Sequence, residues 1–500
     1  MKNTLKKNCK YMRQIKSWLY IVSCLFGICL PGLLTSCEDE ENYTSSPNAL
    51  LQFSADTLRF DTVFTTIGSS TSGLKVYNRN SESLLIPSIY LASEGKSGFR
   101  VNVDGMPGVS FSDVELRKKD SLYVFVEVTV NPRDENNPFL IRDSLIFRLA
   151  GGAEQRVQLE AYGQDMIVLR GKVFQCDTLL SGERPYVIYD SLLVDSGVTL
   201  RLSPGTHLHF HSDVSCRVYG TLKAEGTLEQ PVVFRGDRLD NLFSYLPYDR
   251  LDKQWGGLVF HAGSYDNELR YTDIHSGNFG IVCDSSDAGR SKLLMENSVV
   301  HNVAGDALQA TACRIWVGNS QLTNAGGHCA NIRGGDVQFV YSTLANFYPW
   351  TLRGAALRLS NEGVALERAE FLSCIVTGYS SSELLCMRDD SIGLAFNYSM
   401  ANTLLNMPGD SIYGDRYVAM QCDSLENEVS RMGNFPRIDT EIFYYDFSLD
   451  SLSVAVGAGS VEDATRYYPF DRLGRSRLAD GRPDAGAYEW FEQPALKDEE

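Results

Sequence analysis

The chain has 500 residues and a formal charge of −17 at pH 7, from 46 Lys and Arg against 63 Asp and Glu. A chain of this length exceeds what one compact core usually organises, so we expect at least two domains or an elongated repeat. The acidic balance argues against nucleic acid and against passive attraction of anionic polymers.

The N-terminus has the parts of an export signal. A basic segment, MKNTLKKNCKYMRQIK, precedes the apolar run SWLYIVSCLFGICLPGLL, which ends at the small residues TSC. LLTSC resembles the lipobox of bacterial lipoproteins, which implies a signal peptide over residues 1–36 and acylation of Cys37. A retained transmembrane anchor is the alternative. Loss of 1–36, which holds six Lys and Arg and no acid, would change the charge to −23.

An acidic run, EDEE, follows Cys37 directly. It resembles the surface-export signals of some Gram-negative lipoproteins, which implies an outer-membrane protein facing the cell surface or, alternatively, the periplasm. Buried lipid methylenes contribute about 0.8 kcal/mol each, so the lipid would hold the protein on the membrane without a spanning helix.

Two segments precede the repeats. Residues 37–50 are polar without an apolar period and predict a tether. Residues 51–165 alternate in short runs such as GLKVYNRN and SLYVFVEVTV between turn residues, a spacing typical of a β-sandwich. The VYNRN turn and the closing LEAYGQD resemble hydin-type immunoglobulin-like modules, which implies an immunoglobulin-like sandwich of about seven strands.

Residues 166–490, which follow the predicted sandwich, contain a sequence repeat. The frames YTDIHS, NSVVHN, NSQLTN, YSTLAN and AEFLSC share one pattern, with separations of 26, 22, 22 and 28 residues. Their fourth positions are Ile274, Val300, Leu322, Leu344 and Leu372. A coil of this length fits three short strands and three turns, the rung of a parallel β-helix.

The last frame position holds Asn302, Asn324 and Asn346 in three successive frames. Stacked along the axis, their amides could bond from coil to coil, which predicts an asparagine ladder. Independent surface turns that happen to carry asparagine are the alternative.

Two segments carry a more specific resemblance. GVTLRLSPGTHLHF and the coils after it resemble the entry coils of right-handed, pectate-lyase-like β-helix proteins. RLADGRPDAGAYEW resembles their closing strands, with Asp484, Gly486 and Glu489 in a D-x-G-x-x-E pattern. The resemblance implies an all-β chain, a sandwich followed by a right-handed parallel β-helix, with a polar tail over 491–500. It implies no activity, because this scaffold carries lyases, hydrolases, adhesins and spacers alike.

Three histidines alternate in THLHFH: His207, His209 and His211. Leu208 and Phe210 supply the apolar face between them, so the histidines share the outward face. Zinc uses histidines two apart on a strand, but we interpret the stretch as a polar outer face and predict no metal and no cofactor.

Another pair of histidines, His275 and His301, occupies one frame position on successive coils. Stacked histidines could serve acid–base chemistry, and an exposed polar column is the plainer interpretation.

Eight cysteines follow Cys37 without a C-x-x-C motif. Several lie two residues from apolar neighbours and therefore on the same face of a predicted strand. We expect them to be buried free thiols, with disulfides as the alternative.

Charged groups at turns are the candidates for a lyase or hydrolase. None matches a motif of those enzymes, and we favour the interpretation that they are ordinary solvated surface residues. They are Arg270 with Asp273, Arg333 with Asp336, Arg388 with Asp389 and Asp390, and the acids Asp284, Asp287 and Asp306.

Two aromatic-rich loops interrupt the repeat, residues 238–255 and 345–354. Loops on a regular scaffold often bind ligands, and aromatic rings stack well on sugar faces; covering the β-helix is the alternative role. The candidate ligand-binding residues are Phe243, Tyr245, Tyr248, Trp255, Phe347, Tyr348 and Trp350.

The sequence therefore predicts a lipid-anchored β-helix protein that binds a neutral polysaccharide or another surface ligand without cleaving it. A polysaccharide lyase or glycoside hydrolase with a divergent site, and a structural spacer or adhesin, are the alternatives.

Overall fold

The structure is a computed structural model that describes residues 42–350, 353–412, 414–422 and 431–491. The chain is all-β, with two bodies of strands and little α-helix among these residues. The predicted lipid attachment at Cys37 and the tail 492–500 lie outside the described residues. Within the described ranges no helix is long and apolar enough to cross a membrane.

The N-terminal domain is a sandwich of two sheets. One has the order β1-β5-β10-β11-β3 with β8 added on β5, and the other has the order β2-β4-β9-β6-β7. The first strand, β1, comes from the segment expected to be a tether and pairs in parallel with β5. The strands are β1 (Tyr43–Thr44), β2 (Gln52–Phe53), β3 (Thr57–Phe64), β4 (Ser72–Tyr77), β5 (Ser83–Leu91), β6 (Phe99–Val103), β7 (Met106–Gly108), β8 (Ser110–Leu116), β9 (Ser121–Val128), β10 (Phe139–Arg148) and β11 (Glu154–Gln164).

Alternation along the strands builds the core of this sandwich. In β9, Leu122, Val124 and Val126 are buried while Tyr123 and Phe125 between them are exposed. Successive side chains of a strand point to opposite faces, so each sheet turns one apolar face inward and leaves the other in water.

The second domain is a parallel, β-helix-like sheet of 26 strands. Each strand pairs in parallel with the strand one coil later. The strands of its first half are β12 (Ile167–Phe174), β13 (Thr178–Leu180), β14 (Tyr186–Val194), β15 (Thr199–Leu202), β16 (His207–Phe210), β17 (Ser215–Val218), β18 (Thr221–Glu225), β19 (Val232–Gly236), β22 (Gly257–Phe260), β23 (Asn267–Arg270), β24 (Thr272–His275), β25 (Ile281–Cys283) and β26 (Ser291–Glu296), with the separate hairpin β20 (Asn241–Phe243) and β21 (Leu246–Pro247) between β19 and β22.

The remaining strands continue the same sheet and end in a second small hairpin. They are β27 (Val299–Val303), β28 (Leu308–Gly318), β29 (Gln321–Ala325), β30 (Ala330–Val340), β31 (Thr343–Asn346), β32 (Leu357–Ser360), β33 (Leu366–Leu372), β34 (Ile375–Gly378), β35 (Leu384–Met387), β36 (Phe396–Ala401), β37 (Leu404–Leu405), β38 (Tyr417–Val418), β39 (Gln421–Cys422) and the hairpin β40 (Arg437–Asp439) and β41 (Tyr444–Asp446). One α-helix, α1 (Val461–Arg466), follows and is capped by the Ser460 hydroxyl.

The repeated frame lies on one face of this domain, which we call the frame sheet: β16, β19, β24, β27, β29, β31, β34 and β37. The registers Ile274 to Val300, Val300 to Leu322 and Leu322 to Leu344 confirm the first four frames. The fifth was wrong. Leu344 pairs with Val376, and Leu372 pairs with Val340 on a neighbouring strand.

The error in the fifth frame arises because the coil between β31 and β32 carries the inserted segment 347–356. Strands in adjacent sheets of the coil share the same alternation of apolar residues. The local pattern therefore selected Leu372 on β33, four residues before the correct frame position at Val376 on β34.

The asparagine ladder is present in part. The Asn324 amide donates to Asn302 Oδ1 at 3.4 Å, and both residues have φ near 52°, the left-handed region that asparagine tolerates. The Asn346 amide instead donates to backbone oxygens of neighbouring turns, including Ala325 at 2.9 Å. A second rung joins Asn319 Nδ2 to Asn297 Oδ1 at 2.6 Å.

A column of hydroxyls runs beside these asparagines, and it occupies the second position of the first four frames. The backbone N–H groups of Thr272, Ser298 and Ser320 each donate to a hydroxyl one coil later, at 3.0, 3.1 and 3.4 Å. The acceptors are Ser298, Ser320 and Ser342. Buried backbone donors at the corner of each coil thus gain partners from the next coil.

The C-terminal segment folds back over the later coils of the frame sheet. Arg477 anchors it: this fully buried guanidinium donates to Asn319 Oδ1 at 2.7 Å and to Gly486 O at 2.9 Å, and lies 3.3 Å from Glu489. Asp484 accepts backbone N–H groups of neighbouring turns, so the D-x-G-x-x-E residues hold an irregular loop. The closing strands expected here are absent from 477–491.

Candidate functional site

The sandwich packs against the first coils of the β-helix-like domain through β3. The ring of Phe64 meets the imidazole of His209 edge-on, with centroids 5.0 Å apart. His209 is therefore buried, and its Nδ1 has no hydrogen-bond partner. Burial, reinforced by the positive charge of Arg235, holds the pKa of His209 well below its usual value.

The three alternating histidines share the outward face, as their spacing implies, but do not converge. His207 is exposed, and its ring centroid lies 6.2 Å from that of His209. His211 donates from Nδ1 to Asp237 at 2.7 Å. The three rings therefore lie in different environments.

A cleft with a cavity of about 750 Å³ opens between the two domains. Asp61 and Phe64 of β3 line it on the sandwich side, and Tyr189, His211 and Asp237 line it on the other. The hairpin β20–β21 stands at this cleft and contributes Phe243.

Two rings on that hairpin form an aromatic platform, Phe243 and Tyr245. They stack with centroids 5.7 Å apart at 17° and are 54% and 56% exposed. Two exposed rings in parallel present a flat apolar surface that a ligand can cover, and Phe243 also lines the cleft. The platform is therefore the aromatic feature best placed to meet a ligand in the cleft.

The other candidate aromatics lie in different places. Trp255 and Phe347 are fully buried, and Trp255 stacks on Phe210 at 4.5 Å inside the coil. Both rings are part of the hydrophobic core, so neither can contact a ligand. Tyr348 is also buried and donates to Asp252.

Two candidates remain at the surface besides the platform. Trp350 is 47% exposed and packs on Phe443 at 4.9 Å. Tyr248 is covered by the guanidinium of Arg238, 3.9 Å from its ring centroid. The two aromatic loops therefore do not form one continuous binding surface.

Two carboxylates beside the cleft differ in their acidity. Burial, with a smaller effect from the charge of Asp240, raises the pKa of Asp61. Burial also opposes ionisation of Asp240, but two bonds from Arg238 at 2.7 Å outweigh it and lower its pKa. Environments that separate two carboxyl pKa values in this way occur in acid–base catalysis.

A second group of titratable residues lies on the frame sheet, the histidine–aspartate cluster of Asp249, Asp273, His275 and His301. Strand β24 places Asp273 and His275 two residues apart, hence on one face, and β27 sets His301 directly opposite His275. The two imidazoles stack with centroids 4.8 Å apart. The shared frame position revealed this pair, but sequence spacing did not reveal Asp249, which comes from the loop before Trp255.

Hydrogen bonds connect the whole cluster. His275 donates from Nδ1 to Asp273 at 2.8 Å and from Nε2 to Asp249 at 2.7 Å, and Asp273 also lies 3.2 Å from His301 Nε2. Burial lowers the pKa of His275, but the charges of Asp273 and Asp249 outweigh it and raise the pKa to about 9. Arg235 completes the network at 2.9 Å from Asp249.

Two of the charged residues considered as candidates for a lyase or hydrolase, Arg270 and Asp306, form bonds with other residues of the coils. Arg270 pairs with Glu268 and Glu296 and not with Asp273. Asp306 accepts from the His328 backbone and from Asn331, both at 2.7 Å. The bonds from Arg270 to Glu296 and from Asp306 to His328 and Asn331 join successive coils.

No family model and no curated protein matches the chain. A family 123 glycoside hydrolase from Clostridium perfringens aligns at 8% identity and a TM-score of 0.18, over 24% of this chain and 30% of that chain. A GH87 alpha-1,3-glucanase catalytic unit from Streptomyces thermodiastaticus aligns at 10% identity and 0.23, over 69% and 76%. The Agl-KA catalytic domain aligns at 8% and 0.19, over 71% and 80%.

The chain thus spans less than a third of the length of the first of these structures. All three TM-scores are below 0.5, so the alignments carry no argument about activity. The functional proposals below rest on the residues of this chain.

Proposed function

We propose that the protein is a lipid-anchored lipoprotein of a Gram-negative outer membrane that binds a neutral glycan without cleaving it. In this proposal Cys37 carries the lipid, the sandwich is an immunoglobulin-like module of the hydin type, and the second domain is a right-handed, pectate-lyase-like β-helix. The surface-facing orientation follows from the acidic run after Cys37.

One observation carries the binding proposal: the aromatic platform of Phe243 and Tyr245 is exposed, and its Phe243 ring lines the interdomain cleft. The apolar face of a pyranose ring can cover such a platform without any charge. The cleft has a volume of about 750 Å³, and Asp61, Asp237 and His211 along it supply hydrogen-bonding groups.

The charge of the protein favours a neutral ligand. The formal charge is −17, and a polyuronate would meet Coulomb repulsion from it unless cations intervened. We therefore expect neutral polysaccharides to be retained and polygalacturonate to be excluded.

Affinity electrophoresis in gels containing laminarin, mannan or amylopectin tests the proposal. Wild-type protein should be retarded by at least one of them, and Phe243→Ala with Tyr245→Ala should restore free mobility. Tyr123→Ala is the matched control, because Tyr123 also belongs to an exposed stacked pair, with Phe125 at 6.0 Å, on the sandwich. Equal retardation of wild type and the platform variant would refute binding at this place.

A glycoside hydrolase is the second candidate, favoured by the unequal acidities of Asp61 and Asp240. In such an enzyme Asp61 would be the protonated acid and Asp240 the ionised partner. Incubation with the same polymers should yield no new reducing ends if the protein only binds. Reducing ends that disappear in Asp61→Asn would establish the hydrolase instead.

A further inference from the structure

The outward face of β24 and β27 gathers nitrogen and oxygen donors of the kind that transition metals use. Among the residues that the structure describes, Asp273, His275 and His301 form the one group of three or more His, Cys, Asp or Glu donors whose ligand atoms lie within 4.8 Å of one another. We propose that these three residues bind a divalent transition-metal ion such as Zn²⁺.

The distances suit a small rearrangement into a metal site. Asp273 Oδ1 lies 2.8 Å from His275 Nδ1 and 3.2 Å from His301 Nε2. Donors that each bond zinc at about 2.0–2.2 Å in a tetrahedron lie about 3.3 Å from one another. Two of the three donor separations are therefore already close to the required value, and the ligand atoms of all three residues lie within 4.8 Å of one another. Two imidazoles with one carboxylate are a donor set that zinc accepts.

The surroundings supply the outer contacts that such sites need. The Nε2–H of His275 donates to Asp249 at 2.7 Å and can keep that bond, so a bound ion would take the place of the Nδ1 proton that His275 otherwise donates to Asp273. Asp249 is itself held by Arg235 at 2.9 Å, and its backbone oxygen accepts from the Ser276 hydroxyl at 2.7 Å. A carboxylate that fixes the orientation of a ligating imidazole is the usual outer partner in zinc proteins.

Charge and access also favour a cation. The carboxylates of Asp249 and Asp273 face the one guanidinium of Arg235, so once the ion has displaced the Nδ1 proton of His275 the ligands and their neighbours offer it a net charge of about −1. About a third of the Asp273 side chain and a quarter of the His301 side chain are exposed. An ion can enter from that side and keep a water or a ligand atom in its fourth position.

The test is titration of ZnCl₂ into the full-length protein, purified in detergent and stripped with EDTA, followed by isothermal calorimetry. We expect one site per chain. The variants His301→Gln and Asp273→Asn should raise the dissociation constant for Zn²⁺ more than tenfold. Asp249→Asn, which keeps all three ligands, should raise it about 10–100-fold. His211→Gln is the matched control and should leave the affinity unchanged, since His211 lies outside the cluster.

Circular dichroism of each metal-free variant checks folding, and zinc X-ray absorption of the wild type reports the ligands. A first shell of nitrogen and oxygen with imidazole scattering supports the site. A sulfur shell would place the ion on cysteine and overturn the proposal, as would equal affinity of wild type and the folded His301→Gln and Asp273→Asn variants.

Discussion

The ring of Phe64 covers the imidazole of His209, with 5.0 Å between their centroids, and this contact ties the sandwich to the first coils of the second domain. Both side chains are buried although they come from different domains. The cleft that holds the aromatic platform is therefore framed by an apolar contact that links the two domains.

Removing that contact should weaken the whole molecule. Phe64→Ala deletes a buried ring and should lower the free energy of unfolding by about 3 kcal/mol. Urea denaturation followed by tryptophan fluorescence measures the change. Phe243→Ala removes an exposed ring and should change stability by less than about 0.5 kcal/mol. Equal, small effects of the two substitutions would show that the interface is weak.

His209 should make the protein sensitive to mild acid. Its pKa is depressed in the folded state, so below pH 6.5 the unfolded chain binds a proton that the folded chain does not. Stability is therefore lost as the pH falls, by about 1.4 kcal/mol between pH 7.5 and 5.5.

Denaturation curves of wild type and His209→Gln across that range isolate this effect. The raised pKa of His275 acts in the opposite direction but equally in both proteins. The difference in unfolding free energy between the two should thus change by about 1.4 kcal/mol. A constant difference would mean that His209 is solvated or already charged.

The asparagine rung should be measurable as well. Asn324 is buried, its amide donates to Asn302, and its side-chain oxygen accepts from the Phe347 backbone at 3.2 Å. Asn324→Ala should lower the free energy of unfolding by about 1–3 kcal/mol, because it leaves buried hydrogen-bonding partners unsatisfied. The exposed Asn397 is the control, and Asn397→Ala should have little effect on the thermal midpoint.

The reactivity of the thiols should distinguish buried cysteines from exposed ones. Burial raises the pKa of Cys216 and of Cys374 to about 12, so both remain protonated and inaccessible at pH 8. Iodoacetamide should label the exposed Cys176 in the native protein and reach the two buried thiols only after unfolding. Peptide mass mapping reads this out, and rapid native labelling of Cys216 would contradict its core position.

Membrane attachment tests the lipoprotein proposal. Cys37→Ser removes the residue that LLTSC predicts to be acylated, so the protein should leave the membrane fraction and lose incorporation of radioactive palmitate. Unchanged fractionation, with no lipid label on the wild type, would reject the anchor.

The sequence by itself determined the parts of this protein that rest on local periodicity. The alternation of apolar and polar residues predicted β9 and its neighbouring strands. The frame of Ile274, Val300, Leu322 and Leu344 predicted the register of four coils. It also aligned His275 with His301. These features could be predicted because a strand repeats every two residues and each coil stacks on the next.

Only the tertiary structure decided which side chains face a ligand. Trp255 and Phe347 share the loop composition of Phe243 yet are core, and His209 is covered by Phe64 of another domain. Asp249 meets His275 across 26 residues of chain. Such contacts depend on where an irregular loop or a neighbouring domain packs, and no periodic signal in the sequence records that packing.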